Sequence, residues 1–257
     1  MNINRKNTIT EGDNFANTNR QAAPKIASLR KISLAAGVLY LLTFVSIPTG
    51  ILYAPIKDPN YIVGSGPDTG VIFGGVLEII VALAGIGTAV ALYPVVKRQN
   101  EGVALGFVGA RVLEASTNFA GVVSLLTAVT LRQAGAGAEG LVTGRALIAL
   151  YNWFHLGQNL MPAVNDLLLG FLLYKSRLVP RVLPLMGLIG APLLVANTIA
   201  TMFGITGPVF VLTAIGVLPV ALFEFSLGVW LTFNGFKPSA ITSEYAKTAT
   251  NELLSAV

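Results

Sequence analysis

Long apolar stretches recur along the chain from Ile32 to Phe233, and short polar segments separate them. The stretches cover about residues 32–54, 70–96, 103–131, 144–174, 182–205 and 208–233. A helix needs about 20 mostly apolar residues to cross the hydrocarbon core of a bilayer, and each stretch reaches that length. The pattern therefore predicts an all-α membrane protein, a bundle of six transmembrane helices.

The segments outside these stretches define the predicted domain organisation. Residues 1–29 are rich in Asn and Thr and have no sustained apolar run, which predicts a disordered N-terminal tail. The six-helix transmembrane domain covers residues 30–236, and residues 237–257 form a C-terminal tail. Charged or turn-forming residues, such as those of segments 57–60 and 97–102, separate the predicted helices.

Composition supports the membrane class and narrows the chemistry. Hydrophobic residues make up 54% of the chain and charged residues only 11%, and the mean hydropathy is +0.71. An ordinary soluble domain carries about 25% charged residues. The chain has no cysteine and one histidine, which excludes thiolate chemistry and a multi-histidine metal site within one chain. We expect neither a metal nor a cofactor.

The distribution of the 17 lysine and arginine residues predicts the orientation in the membrane. Basic residues concentrate in the N-tail, in the second and fourth connections and in the C-tail: Arg5, Lys6, Arg20, Lys25, Arg30, Lys31, Lys97, Arg98, Lys175, Arg177, Arg181, Lys237 and Lys247. Cytoplasmic loops carry such an excess, so both termini are expected in the cytoplasm. The net charge of +5 then favours anionic lipids at the cytoplasmic face and does not call for nucleic acid.

Five ionisable residues besides the histidine lie inside the predicted spans: Glu78, Arg111, Glu114, Asp166 and Glu224. A charged group near the bilayer centre costs about 2.5–3.5 kcal/mol on insertion scales, so such residues face the bundle interior and mark functional sites. Arg111, Glu114 and Asn118 share one helix face because they are three and four residues apart. Asp166 and Glu224 lie at a depth similar to that of Arg111, which predicts one charge cluster.

The fourth predicted helix carries the most polar residues. Asn152, His155, Asn159, Pro162 and Asp166 follow one another at steps of three and four residues and so occupy one helix face. This stripe predicts a cavity filled by water or ligand, although amides that only bond to neighbouring helices are the alternative. Asn197 adds a mid-membrane amide on the fifth helix.

The acids in the spans outnumber the basic groups. Four carboxyl groups face the single guanidinium of Arg111, so we expect at least one acid to be neutral at pH 7. Glu114 is expected to stay ionised beside Arg111, and Asp166 or Glu224 to hold a proton or a cation. Glu78 lies nearer the outer surface, where His155 is its expected partner. Solvation of all the acids by penetrating water is the alternative.

Several segments resemble one known family: Lys97–Gly106 running into Gly109–Glu114, Leu172–Arg181 with Gly187–Gly190, Leu218-Pro219 with Glu224 and Trp230-Leu231, and Leu77-Glu78. They are similar to bacterial membrane proteins grouped as domain of unknown function family 4386. The resemblance covers about residues 30–236 and implies a bacterial multi-pass membrane protein without an agreed activity. Glu78, Arg111, Glu114 and Glu224 fall on motif positions, whereas the polar stripe of the fourth helix lies outside them.

Three functions remain open at this point. The first is a small carrier in the bacterial inner membrane, coupled to protons or cations, with a buried polar site for a small molecule or a lipid. The second is an intramembrane enzyme or lipid-binding protein that acts on a membrane-soluble substrate, with His155 or a carboxylate as general base. It ranks lower because no serine–histidine or zinc-protease motif accompanies these residues. The third is a membrane sensor or partner subunit in which the charges only fix packing.

Overall fold

The computed structural model describes residues 28–64, 67–205, 210–239 and 242–243. These residues form six long helices and no strand: α1 (Ser28–Leu52), α2 (Thr69–Val96), α3 (Glu101–Gln133), α4 (Gly140–Ser176), α5 (Val182–Met202) and α6 (Phe210–Phe233). The predicted all-α fold with six long helices is confirmed. Nearly all of the predicted tails, 1–29 and 237–257, lies outside the described residues.

Five of these helices are long and apolar enough to cross a membrane, and α4 is the exception. At 37 residues α4 is the longest of the six, about 55 Å at 1.5 Å per residue. The polar residues that predicted a cavity, including His155 and Asp166, lower its apolar content. α4 nevertheless packs along both α3 and α5, so it is an integral part of the bundle.

Proline shapes the end of α1. The helix is regular through residue 42, tightens into a 3-10 turn at Thr43–Ser46, and resumes for one turn at Thr49–Leu52. Pro48 has no N–H to donate, and its ring would clash with the carbonyl four residues earlier, at Phe44. The break places Thr43 and Thr49 along the wall of an internal cavity.

Hydrogen bonds at one end of the bundle join its first and last helices. The Arg30 guanidinium donates to the backbone oxygens of Leu231 (3.0 Å) and Thr232 (2.6 Å), which end α6 without intrahelical partners. The N–H of Lys237 donates to the oxygen of Leu178, 2.7 Å away, in the connection from α4 to α5. The start of α1, this connection and the end of α6 therefore lie at the same end of the bundle.

At the opposite end of the bundle, a buried acid joins the loop before α2 to the end of α3. Asp68 lies just before α2 and accepts hydrogen bonds from Tyr61 (2.8 Å) and Gln133 (3.0 Å). It also pairs with Arg132 at 2.9 Å. Burial raises the pKa of Tyr61, and the bond to Asp68 raises it further, so the phenol remains a donor well into alkaline solution. This contact holds the loop before α2 against the end of α3.

The apolar core is divided between the two ends of the bundle. One cluster, which includes Phe107, Leu172 and Leu227, fills the end at which α1 begins. A second, which includes Val71 and Leu125, fills the opposite end. The polar residues of the predicted spans lie mainly between the two clusters.

Glycine allows α5 and α6 to approach closely. A Cβ atom at Gly190 would lie 2.8 Å from the Cβ of Pro219 and 3.0 Å from the backbone nitrogen of Val220. Backbone cannot move aside as the tip of a side chain can, so Gly190→Ala should lower the free energy of unfolding by roughly 1–3 kcal/mol. Unfolding in mixed detergent micelles, followed by circular dichroism, measures the change.

Gly109 on α3 provides the matched control. A Cβ there would meet nothing within 4 Å, and alanine favours the helix by up to about 1 kcal/mol over glycine. Gly109→Ala should therefore leave stability unchanged or slightly higher. Equal losses for the two variants would contradict the packing described for α5 and α6.

Candidate functional site

Polar side chains from four helices meet at Arg111. Its side chain is 2% exposed, and its Nη1 donates to Oε2 of Glu114 at 2.9 Å. Its Nη2 donates to Oε1 of Glu224 on α6 at 2.6 Å and to the hydroxyl of Tyr40 on α1 at 3.1 Å. Asn165 on α4 donates to the same Glu114 oxygen at 2.7 Å. We call Tyr40, Arg111, Glu114, Asn165 and Glu224 the Arg111 cluster.

The local sequence explains why this arrangement forms. Arg111 and Glu114 are three residues apart on α3, so their side chains leave the helix on one face. The guanidinium presents a planar set of N–H donors and reaches Glu224 across the bundle while it bonds to Glu114. The ring of Tyr40 also lies 5.2 Å from the guanidinium carbon, in cation–π range.

Asp166 lies beside this cluster without a hydrogen bond. Its side chain is 0% exposed, and neither carboxyl oxygen has a hydrogen-bond partner. It interacts electrostatically with Glu224, Arg111 and Glu114. Because Arg111 is already bonded to two carboxylates, Asp166 is the acid left without a partner. From the sequence, Asp166 or Glu224 was expected to hold a proton or a cation.

A second polar cluster surrounds Glu78 on α2. The Tyr151 hydroxyl donates to Glu78 Oε1 at 3.0 Å, while Oε2 has no hydrogen-bond partner. The Asn118 amide donates to the backbone oxygen of Glu78 at 3.2 Å. The ring of His155, the partner expected from the sequence, lies 5.9 Å from the ring of Tyr151. The hydrogen bond to the Glu78 carboxylate thus comes from a tyrosine that the sequence analysis did not select.

A cavity of about 230 Å³ connects the two clusters. All six helices contribute to its wall, and its polar residues are Thr43, Ser46, Thr49, Glu78, Arg111, Glu114, Asn118, His155 and Glu224. Pro162, the proline of the α4 stripe, also lines it. We call this space the central cavity. Its wall carries three carboxyl groups and one guanidinium.

Two of the remaining candidates, Asn152 and Asn197, do not line the central cavity. Asn152 is exposed and lines a second recess, between α1 and α4. Asn197 packs against Gly216 of α6, and its buried Oδ1 has no hydrogen-bond partner. The side chain of Asn159 lies outside the described part of the structure. In the described ranges no three acidic or histidine side chains are grouped so that they could hold a metal ion.

The sequence analysis did not select Tyr40, Tyr151 or Asn165 as site residues. It also did not select Tyr53, whose ring packs on that of Tyr151. A signal was present for the tyrosines, because a phenol inside an apolar span needs a partner for its hydroxyl group. Tyr151 also precedes His155 by four residues, which places both on one face of α4.

Fold and site together define the class: an α-helical integral membrane protein with a charged cavity in the middle of its bundle. The family comparison agrees with the resemblance seen in the sequence, since the domain of unknown function DUF4386 matches residues 35–235. This covers well over half of the chain, and the protein belongs to that family. No match was found among curated proteins or among solved structures.

The Arg111 cluster should be the most sensitive site for stability. Arg111→Met leaves Glu114, Glu224 and Asp166 buried without a cation and should lower the free energy of unfolding by about 3–5 kcal/mol. Adding Glu114→Gln and Glu224→Gln should restore most of that loss, because neutral groups then replace the ion pairs. Unfolding in detergent micelles measures both effects.

Lys31→Met removes a charge from an exposed position on α1 and serves as the control. It should change stability by no more than about 0.5 kcal/mol. An Arg111→Met protein as stable as Lys31→Met, or a triple variant no better than the single one, would show that the guanidinium does not hold the cluster together.

Proposed function

We propose that the protein is a carrier of the bacterial inner membrane that moves a small solute together with, or in exchange for, protons or cations. Both tails would face the cytoplasm, as the basic residues predict. The observation that carries the proposal is the central cavity, in which all six helices meet and carboxyl groups exceed basic groups.

Charge balance is the first argument. Glu114 and Glu224 both bond to Arg111, whereas Asp166 is fully buried without any donor. An isolated ionised carboxyl group is costly in such surroundings. A proton or a bound cation removes that cost. Asp166, beside the Arg111 cluster, is therefore a group that could take up and release one positive charge, which coupled transport requires.

A purely structural network accounts less well for these contacts. A set of charges that served only to fix helix positions would be satisfied by matched donors and acceptors. Asp166 makes no hydrogen bond that could fix the position of a helix. Its burial therefore costs free energy without selecting one arrangement of the helices. Functional sites are where proteins retain such unfavourable groups.

The helices around the central cavity supply points at which the bundle can bend. α1 breaks at Pro48, and α4, α5 and α6 contain Pro162, Pro192 and Pro219. Helices kink at such positions because one backbone hydrogen bond is missing. Apolar clusters close both ends of the bundle, so a transport cycle would open one end at a time.

Ion flux in proteoliposomes tests the proposal. Purified protein is reconstituted with the pH indicator pyranine trapped inside, and gradients of sodium and of potassium ions are imposed in turn. At least one gradient should drive a change of internal pH faster than in protein-free liposomes. Asp166→Asn and Glu224→Gln should each slow that change at least tenfold, because they remove the groups that exchange the charge.

Glu139→Gln is the control, since Glu139 is an exposed acid in the connection before α4. Its flux should equal that of the unmodified protein. Asp166→Asn also removes the unpaired acid, so it should be folded and at least as stable. Absence of flux under every gradient would refute direct exchange of protons for these cations, and full flux in both variants would refute coupling through these carboxyl groups.

A further inference from the structure

A second cavity, of about 250 Å³, lies between the end of α1 and the first half of α4. Tyr53, Tyr151 and His155 form its aromatic wall, and Asn152 and Lys57 also line it. It shares Thr49 and His155 with the central cavity. We call this space the side vestibule. The two cavities adjoin, and the Tyr151–Glu78 hydrogen bond lies at their boundary.

The three aromatic rings of the side vestibule pack on one another. Tyr53 and Tyr151 are 5.6 Å apart at an interplanar angle of 83°, and the ring of His155 lies 5.9 Å from that of Tyr151. Tyrosine faces attract cations through the ring quadrupole, and groups of aromatic rings recognise substituted ammonium ions in this way. The wall therefore suits a cation with an apolar surface.

Glu78 supplies the opposite charge. It is 4% exposed, its Oε2 has no hydrogen-bond partner, and it lines the central cavity immediately behind Tyr151. The Tyr53 hydroxyl, which has no partner within 3.5 Å, interacts with the same carboxyl group electrostatically and as a donor at longer range. An unsatisfied buried carboxylate oxygen next to aromatic rings is a recognition site for an ammonium group, since it completes the charge and leaves the apolar substituents against the rings.

We propose that the side vestibule admits a small organic cation of the substituted ammonium class, with Glu78 as its counter-charge and Tyr53 and Tyr151 as its aromatic wall. This inference rests on the proposed carrier function and names the solute. Tyr151 lies between the two cavities, so release of its hydrogen bond to Glu78 would open the way to the Arg111 cluster.

Size and charge limit the solute further. A cavity of 250 Å³ is below the roughly 300–1,000 Å³ typical of drug-sized ligands, which favours a group no larger than a trimethylammonium head with a short chain. Lys57 is the basic residue of the lining, and it is exposed. Water and salt screen its charge, whereas a charge on the buried Glu78 is screened much less.

Binding of choline, compared with its neutral isostere 3,3-dimethyl-1-butanol, tests this inference. The two probes share shape and differ in the charge of one atom. Isothermal titration calorimetry of the full chain in detergent micelles should give an affinity for choline at least tenfold higher than for the neutral alcohol. Glu78→Gln keeps the shape of the side chain and should lower the affinity for choline at least tenfold.

Two tyrosine variants separate the ring from the hydroxyl. Tyr151→Phe keeps the aromatic face and should retain choline binding within about threefold, whereas Tyr151→Leu should lose at least fivefold. Glu139→Gln should bind as the unmodified protein does. Monodisperse elution on gel filtration confirms that each variant is folded, and the Phe variant keeps the test valid if the Leu variant is not.

Three results would overturn the inference: equal affinity for the two probes, unchanged binding by a folded Glu78→Gln protein, or no choline binding up to millimolar concentration. None of them affects the ion flux assay, which depends on Asp166 and Glu224. Flux that persists without choline binding would therefore reject the organic cation alone. Choline binding without ion flux would reject proton or cation coupling and leave a binding site.

Discussion

The buried guanidinium of Arg111 fixes how the bundle is assembled. It holds a hydroxyl from α1, a carboxylate from its own helix and a carboxylate from α6, and Asn165 of α4 reaches the same set through Glu114. A cation inside a membrane is tolerated when it is paired with acceptors. The bonds that pair the two terminal nitrogens of Arg111 therefore dictate the relative positions of four helices, although its Nε has no partner.

Specific contacts between helices are more important for selecting one arrangement of the bundle here than in a soluble protein. Lipid tails are as apolar as leucine side chains, so burial of apolar surface does not itself drive helices together in a bilayer. Close contacts at small residues, such as Gly190 against Pro219, and polar contacts, such as Asn118 to the backbone of Glu78, remain to select one arrangement. The central cavity exists because polar side chains occupy the middle of the bundle, where apolar side chains would have packed more tightly.

The sequence predicted the helices well because membrane spans depend on a property that can be counted along the chain. The charged turn between Val96 and Glu101 was identified by its composition and appears where α2 ends and α3 begins. The meeting of Arg111, Glu114 and Glu224 followed from spacing and depth alone.

Partner choice was harder to predict. The sequence suggested His155 as the partner of Glu78, because both side chains titrate. In the structure, the Glu78 carboxylate accepts a hydrogen bond from the phenol of Tyr151. Depth along the helix is readable from residue number, but rotation about the helix axis is set by neighbours. This is why Asn152, placed on a polar face by spacing, and Asn197, selected for its depth in the membrane, do not line the central cavity.

The contact between Arg111 and Glu224 has a consequence for biosynthesis. Helices leave the ribosome in chain order, and Glu224 belongs to the last of the six. Until that helix enters the bilayer, Arg111 has only the acid of its own helix and those of α2 and α4 within the bundle. Likewise Arg30, near the start of the chain, finds the carbonyl groups it caps only at residues 231–232. Insertion of the last helix thus completes the pairing of both arginines. In a nascent chain stalled before that step, Arg111 would be incompletely paired, and the quality-control machinery of the membrane could recognise this charge.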